Sequence, residues 1–210
     1  NKLLKIGISK EAIEHKMKSL KLHESLGEKK WVAVMHNKLG KTYIQKGDYT
    51  NSINHVNKAL SINVSIDHPP GLHTSHYLLG CHYYNIGKLD RAYKYFTNST
   101  TFLEENILDD KSQIERLTLL DRNKLRSQLY LYKIHSIQNS NYEIDTDTIL
   151  KLINTHHKSL DYESNFLCYQ LLERNSYLET AYNQVQELAD NLEPDLAAKF
   201  LSYPIPKAIV

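Results

Sequence analysis

The residues best equipped for chemistry gather between His68 and His82. His68, His73, His76, His82 and Cys81 fall within 15 residues, and imidazole nitrogen and thiolate sulfur are the ligands zinc prefers. His73 and His76 share a face of any helix that carries them. Zinc needs three or four ligands converging on one point, whereas Cys81 and His82 directly follow Leu79-Gly80, a seam suited to packing. No metal and no cofactor are therefore expected. His156-His157 and Cys168 stand alone. Covalent or acid–base catalysis would need an organising turn around its nucleophile, and the chain offers no nucleophile elbow, phosphate-cradling glycine loop or paired metal-ligand motif. No catalytic residue is expected, and the chain reads as a non-enzyme.

Charge and composition narrow the remaining classes. Among 210 residues, 26 basic side chains face 24 acidic ones, a formal net charge of +2 with no basic stripe. That argues against nucleic acid as the main partner. Hydrophobic residues make up 41% of the chain, enough for a continuous core. Cys81 and Cys168 lie 87 positions apart outside any paired motif, so a reduced compartment and a cytoplasmic location are expected. No apolar run reaches the roughly 18 residues of a membrane span, so no membrane partner is expected either. The first residues, NKLLKIGISK, lack both a Met and a secretory apolar region, and the last, LSYPIPKAIV, end on apolar side chains. The chain reads as a piece of something longer.

What must position any functional side chains is a repeat. Leu39-Gly40, Tyr43 and Gly47 recur as Leu79-Gly80, Tyr83 and Gly87, 40 residues on. Gly7 precedes Gly47 by the same interval, and Ala12, Ser52 and Ala92 align in turn. A fixed period of this length predicts stacked helical hairpins, each needing a neighbour to bury its face. The spacing predicts helices over 9–23 (Ser9 as N-cap), 30–46, 49–65, 73–86 and 89–105, with Asp67-His68-Pro69-Pro70-Gly71 stopping a helix between two of them. Residues 106–121 are helical in pattern but out of register, either prolonging the preceding helix or adding one. Further helices are expected over 122–139, 146–158 (capped by Asp145 or Asp147), 162–174 and 177–191, with Asn175 taking the turn position of Gly47. A short helix from Pro194, with Leu196, Ala197, Phe200 and Leu201, is expected to cover the last repeat. The organisation read this way is regular repeats over 1–105, an insertion over 106–121, degenerate hairpins over 122–192, and a capping helix with tail over 193–210.

Residues Leu39, Gly40, Tyr43, Tyr49, Val56 and Ala59, and again Leu79, Gly80, Tyr83, Ala92 and Phe96, resemble the tetratricopeptide repeat pattern. The 40-residue pitch is similar to a longer-helix variety of that family. Trp31 lies off the family's usual tryptophan position, which His36 and His76 occupy. The resemblance implies an all-α, right-handed superhelix (an α-solenoid) of four to five helical hairpins with a C-terminal capping helix. It also implies a protein or peptide ligand held in a concave groove lined by the first helix of each hairpin. The positions carried over are Asn37, Lys41 and Gln45 in one repeat and Tyr77, Cys81, Tyr84 and Asn85 in the next. Tyr130, Asn165 and Tyr169 follow in later repeats. Asn can pair with both backbone groups of an extended peptide, and Tyr adds apolar area plus a hydroxyl. The basic clamp that some relatives use on chaperone carboxylates is broken here, because Leu78 and Cys81 stand where Lys38 and Lys41 would need basic counterparts.

The expected function is therefore a non-catalytic binding scaffold. One alternative is a regulatory arm of a larger signalling kinase, ATPase or caspase-like protease, since the tail resembles the end of repeat arms in large bacterial signalling proteins. A second is a sensor of a short signalling peptide, and a third is self-association through the repeats.

Overall fold

A computed structural model of the chain describes residues 10–105, 114–139, 141–143, 145–156 and 160–210. Among them the chain is an all-α solenoid of helical hairpins, with no strand. α1 (Lys10–Ser25) packs on α2 (Lys29–Gln45), which pairs with α3 (Tyr49–Ser65). α4 (Pro69–Asn85) pairs with α5 (Leu89–Glu105), and α6 (Ile114–Gln138) with α7 (Thr146–His156). α8 (Tyr162–Leu172) pairs with α9 (Asn175–Asp190), against which α10 (Pro194–Leu201) and α11 (Pro204–Ile209) fold. The first helices α2, α4, α6 and α8 also touch one another in succession, forming one row along the stack.

Within each early hairpin the close approach is made by a glycine. A Cβ on Gly40 would collide with Val56 Cγ2, and one on Gly80 would sit 2.5 Å from the Phe96 ring. Val56 and Phe96 are 40 residues apart and fully buried, as are Ser52 and Ala92 beside them. Small-against-large matching of this kind lets two helices pack at the roughly 8–10 Å of direct ridge-and-groove contact. Cys168, also without exposure, fills the equivalent place on α8.

The turns reveal a finer period than the sequence pattern. α2, α3, α4 and α5 are each 17 residues long. The residues that turn the chain, Gly27, Gly47, Asp67 and Gly87, all take positive φ, at 70°, 76°, 46° and 74°. Each turn closes with the same bond across it: Glu28 to His23 (3.0 Å), Asp48 to Tyr43 (2.9 Å), His68 to Asn63 (3.0 Å) and Lys88 to Tyr83 (2.9 Å), amide to carbonyl. This is the C-terminal capping pattern that a left-handed residue permits. The backbone thus repeats every 20 residues, and alternation of side chains doubles the period to 40.

Several boundaries differ from the sequence expectation. α4 begins at Pro69 instead of near His73, with both prolines in its first turn. There a missing N–H costs nothing and a fixed φ is already helical, so the prolines start a helix where they were expected to end one. Glu173, not Asn175, turns left-handed (φ 53°) between α8 and α9, and Asn175 opens α9. α6 starts at Ile114 and so takes in the latter half of the out-of-register segment. Asp109-Asp110, whose continuity bears on the rest of that segment, and the proposed cap Ser9 lie outside the described residues. Asp145 caps α7, its carboxylate accepting from the Thr148 amide at 3.1 Å.

Candidate functional site

Three pairs of positions carried over from the sequence sit one period apart: Asn37 and Tyr77, Lys41 and Cys81, Gln45 and Asn85. Within each helix they are four residues apart, hence on one face, a turn above one another. Lys41 and Gln45 on α2, Tyr77, Cys81 and Asn85 on α4, and Tyr130 on α6 line a single cavity. Ile44 and Leu78 complete those walls, the start of α8 adds Tyr162 and Glu163, and Tyr203–Pro206 close it. Its free volume is about 30 Å³.

A buried arginine fixes the cavity's far wall. The Arg126 side chain is 2% exposed. Its guanidinium pairs with Asp161 and, at 2.5 Å, with Glu163. It also donates to the Tyr77 hydroxyl (3.1 Å) and to Ser164 Oγ (3.0 Å). Gln45 donates to the other Glu163 oxygen at 3.3 Å, so one network joins α2, α4, α6 and α8. Burial alone would raise the Asp161 acid, but the charges of Arg126 and Arg122 and hydrogen bonds from Arg126 and the Ser164 amide outweigh it and hold that carboxyl well below its usual range. Arg122 lies 3.5 Å from the same carboxylate. Buried ion pairs tolerate desolvation only when their remaining hydrogen-bonding capacity is satisfied, and the guanidinium fork supplies that here.

Burial also shifts the other lining groups. Burial raises the Tyr77 and Tyr130 hydroxyls and pushes the Cys81 thiol up to about 12, so it is no nucleophile. Burial lowers the Lys41 ammonium, with the Glu163 carboxylate opposing. Tyr130 stacks on Phe96 (centroids 4.7 Å apart, planes 6° apart) and meets Tyr84 at 4.8 Å.

Four carried-over residues do not line this cavity. Asn37 is 7% exposed; its amide donates to the Gly71 carbonyl (3.5 Å) and accepts from Ser75 Oγ (3.1 Å), tying α2 to α4. Tyr84 is half-buried against Tyr130. Asn165 is buried and donates to the Leu160 carbonyl and to Gln184 at 3.2 and 3.1 Å, fastening α8 to α9. Tyr169 packs beside Phe166. The histidines from 68 to 82 scatter into separate contacts. His73 lies 2.7 Å from the Ser99 carbonyl, His76 stacks on Tyr95, His82 meets Tyr49 and Tyr83 edge-on, and His68 pairs with Asn63. Among the described residues no group of three or more His, Cys, Asp or Glu could hold a metal.

Sequence reasoning missed Arg126, Glu163 and the 203–206 segment. Arg122, Arg126 and Tyr130 do share a helical face, and Asp161 and Glu163 form an acidic pair. No local pattern, however, links charges 35 positions apart.

Hairpins stacked in sequence order with first helices in one row define an α-solenoid, a class whose members work chiefly as interaction scaffolds. A family model described as tetratricopeptide repeat matches residues 33–63, which span most of α2 and α3. Residues 33–63 are accordingly a tetratricopeptide repeat within the chain. Comparison with curated proteins and with solved structures returned no match. No helix among the described residues is long and apolar enough to cross a membrane.

Proposed function

We propose that this chain is a non-catalytic scaffold that holds a protein segment or peptide in a concave groove lined by the first helices α2, α4, α6 and α8. The observation that carries this reading is the convergence of Lys41, Gln45, Tyr77, Cys81, Asn85 and Tyr130 from three successive first helices on one site. The site mixes aromatic area with a few oriented polar groups, the composition expected where a ligand must be both buried and aligned. Because the lining sits on helices locked by the Arg126 network, little ordering would oppose binding.

The test is a random peptide library displayed against the intact chain. Selected peptides are then titrated by fluorescence anisotropy into wild type, Lys41→Met and Asn85→Arg, each checked for unchanged circular dichroism. Asn85 is exposed and lines the site, so its replacement leaves the core alone. Both variants should bind roughly tenfold more weakly, about 1.4 kcal/mol. Equal affinity for all three proteins would remove the groove from consideration.

A further inference from the structure

The cavity is closed by residues far from its walls in sequence. Phe200, Tyr203 and Ile209 are buried in a cluster with Ala181, Val185 and Ala189 of α9. From that anchorage the chain reaches across to the turn after α2, where Pro204 Cγ would lie 3.3 Å from a methyl placed on Gly47. What this leaves free is about 30 Å³, against the roughly 300–1,000 Å³ of clefts that hold ligands. A peptide can enter only if Tyr203–Pro206 move.

The way these residues are held permits such movement. Among the described residues, no hydrogen bond joins 203–206 to α2, α4 or α6, and Pro204 and Pro206 have no N–H to offer. The contact is one of shape alone. It leaves Lys41 with no ion pair among the described residues and Asn85 exposed to solvent. A ligand of similar shape with hydrogen-bonding groups of its own would gain what the resident residues forgo.

We propose that Tyr203–Pro206 are a resident occupant of the binding groove, displaced when a proline-bearing apolar segment of a partner binds. This rests on the peptide-binding reading above. Proline suits the competitor for the reason it suits the resident at the start of α11: its φ is already fixed, so it loses little freedom on binding. The resident segment lowers apparent affinity by the fraction of molecules that are open, so the groove would answer only to partners present at sufficient concentration.

The two cysteines supply the readout. Cys81 forms part of the cavity wall, whereas Cys168 is fully buried on α8 and lines no part of it. Ile205→Lys in the full chain puts a second cation into the cavity that Lys41 also lines and should release the segment; Ser202→Lys, at an exposed position, adds the same charge without that effect. Labelling by N-ethylmaleimide, followed by mass spectrometry, should be at least roughly tenfold faster at Cys81 in Ile205→Lys. It should be unchanged at Cys168 and unchanged throughout in Ser202→Lys. A synthetic peptide of residues 202–210 should then protect Cys81 in Ile205→Lys. Unaltered Cys81 labelling, or equal acceleration at both cysteines, overturns the displaceable occupant. So does failure of the 202–210 peptide to protect when display-selected peptides succeed, and in that case the scaffold function stands. If Cys81 opens but no selected peptide binds, the scaffold function itself fails.

Discussion

Replacing Arg126 by Met tests whether the buried guanidinium holds the hairpin row together. The variant keeps most of the side chain's volume but leaves Asp161 and Glu163 without the cation they share. Removing one partner of a buried ion pair costs about 3–5 kcal/mol. Arg122 remains 3.5 Å from Asp161, so the lower end, about 3 kcal/mol, is expected. For a chain of 210 residues, each kcal/mol moves the thermal midpoint by about 2–4 °C, which gives a drop of about 6–12 °C at pH 7 by circular dichroism. The acid dependence sharpens the test. Asp161 titrates lower folded than unfolded, so its stabilisation is present above about pH 4 and is lost as pH falls toward the folded value. In the variant that depression shrinks, and the difference from wild type should narrow between pH 7 and pH 3.5. A drop under about 2 °C at pH 7, or an equal gap at both pH values, would refute the reasoning.

Two further outcomes follow from the packing. Gly80→Ala drives a methyl into the Phe96 ring and should cost about 1–3 kcal/mol in urea unfolding, partly recovered when combined with Phe96→Leu. Gly87→Ala meets open space and should lose about 1–2 kcal/mol to backbone strain alone, with no recovery from Phe96→Leu; identical behaviour of the two would count against the seam. His36 and His55 face each other with Nδ1 atoms 2.9 Å apart, and burial lowers both, His36 to about 4. Because the unfolded imidazole takes its proton near pH 6.5 and folded His36 only near 4, stability should fall as pH drops through that window. His36→Phe should flatten thermal midpoints measured from pH 7 to 4.5, and an unchanged slope would dismiss the pair as the source.

Which parts of this architecture could be read from the chain depends on the range of the interactions. The Gly40 and Gly80 seams and the Gly47 and Gly87 turns are local devices, visible as residue types at fixed intervals, and they suffice to specify the hairpins. Pro69-Pro70 misled because the same residue that ends a helix also begins one, and only the chain's path distinguishes the two. Asp67 hid the 20-residue backbone repeat because a carboxylate there does not look like glycine. For the site, the positions implied by the tetratricopeptide resemblance put Lys41, Gln45, Tyr77, Cys81, Asn85 and Tyr130 on faces that meet. The resemblance also carried Asn37 and Asn165, whose amides are spent on Ser75, Gly71, Leu160 and Gln184. A polar side chain facing a ligand and one facing a neighbouring helix have the same sequence address. The closing segment was out of reach for a different reason: its contact with Gly47 spans more than 150 positions and leaves no periodic trace.

The equality of the turns has a consequence for how the stack chooses its partners. The joint inside a hairpin, at Gly47, and the joint between hairpins, at Asp67, share one backbone geometry, so neither joint dictates which two helices become a tight pair. That choice passes to the side chains: α2 grips α3, and α4 grips α5, because Gly40 and Gly80 admit Val56 and Phe96. The phase of the array is thus written in two missing methyl groups. A chain built this way could lengthen by one helix as readily as by two, provided each newcomer brings the right surface to its neighbour.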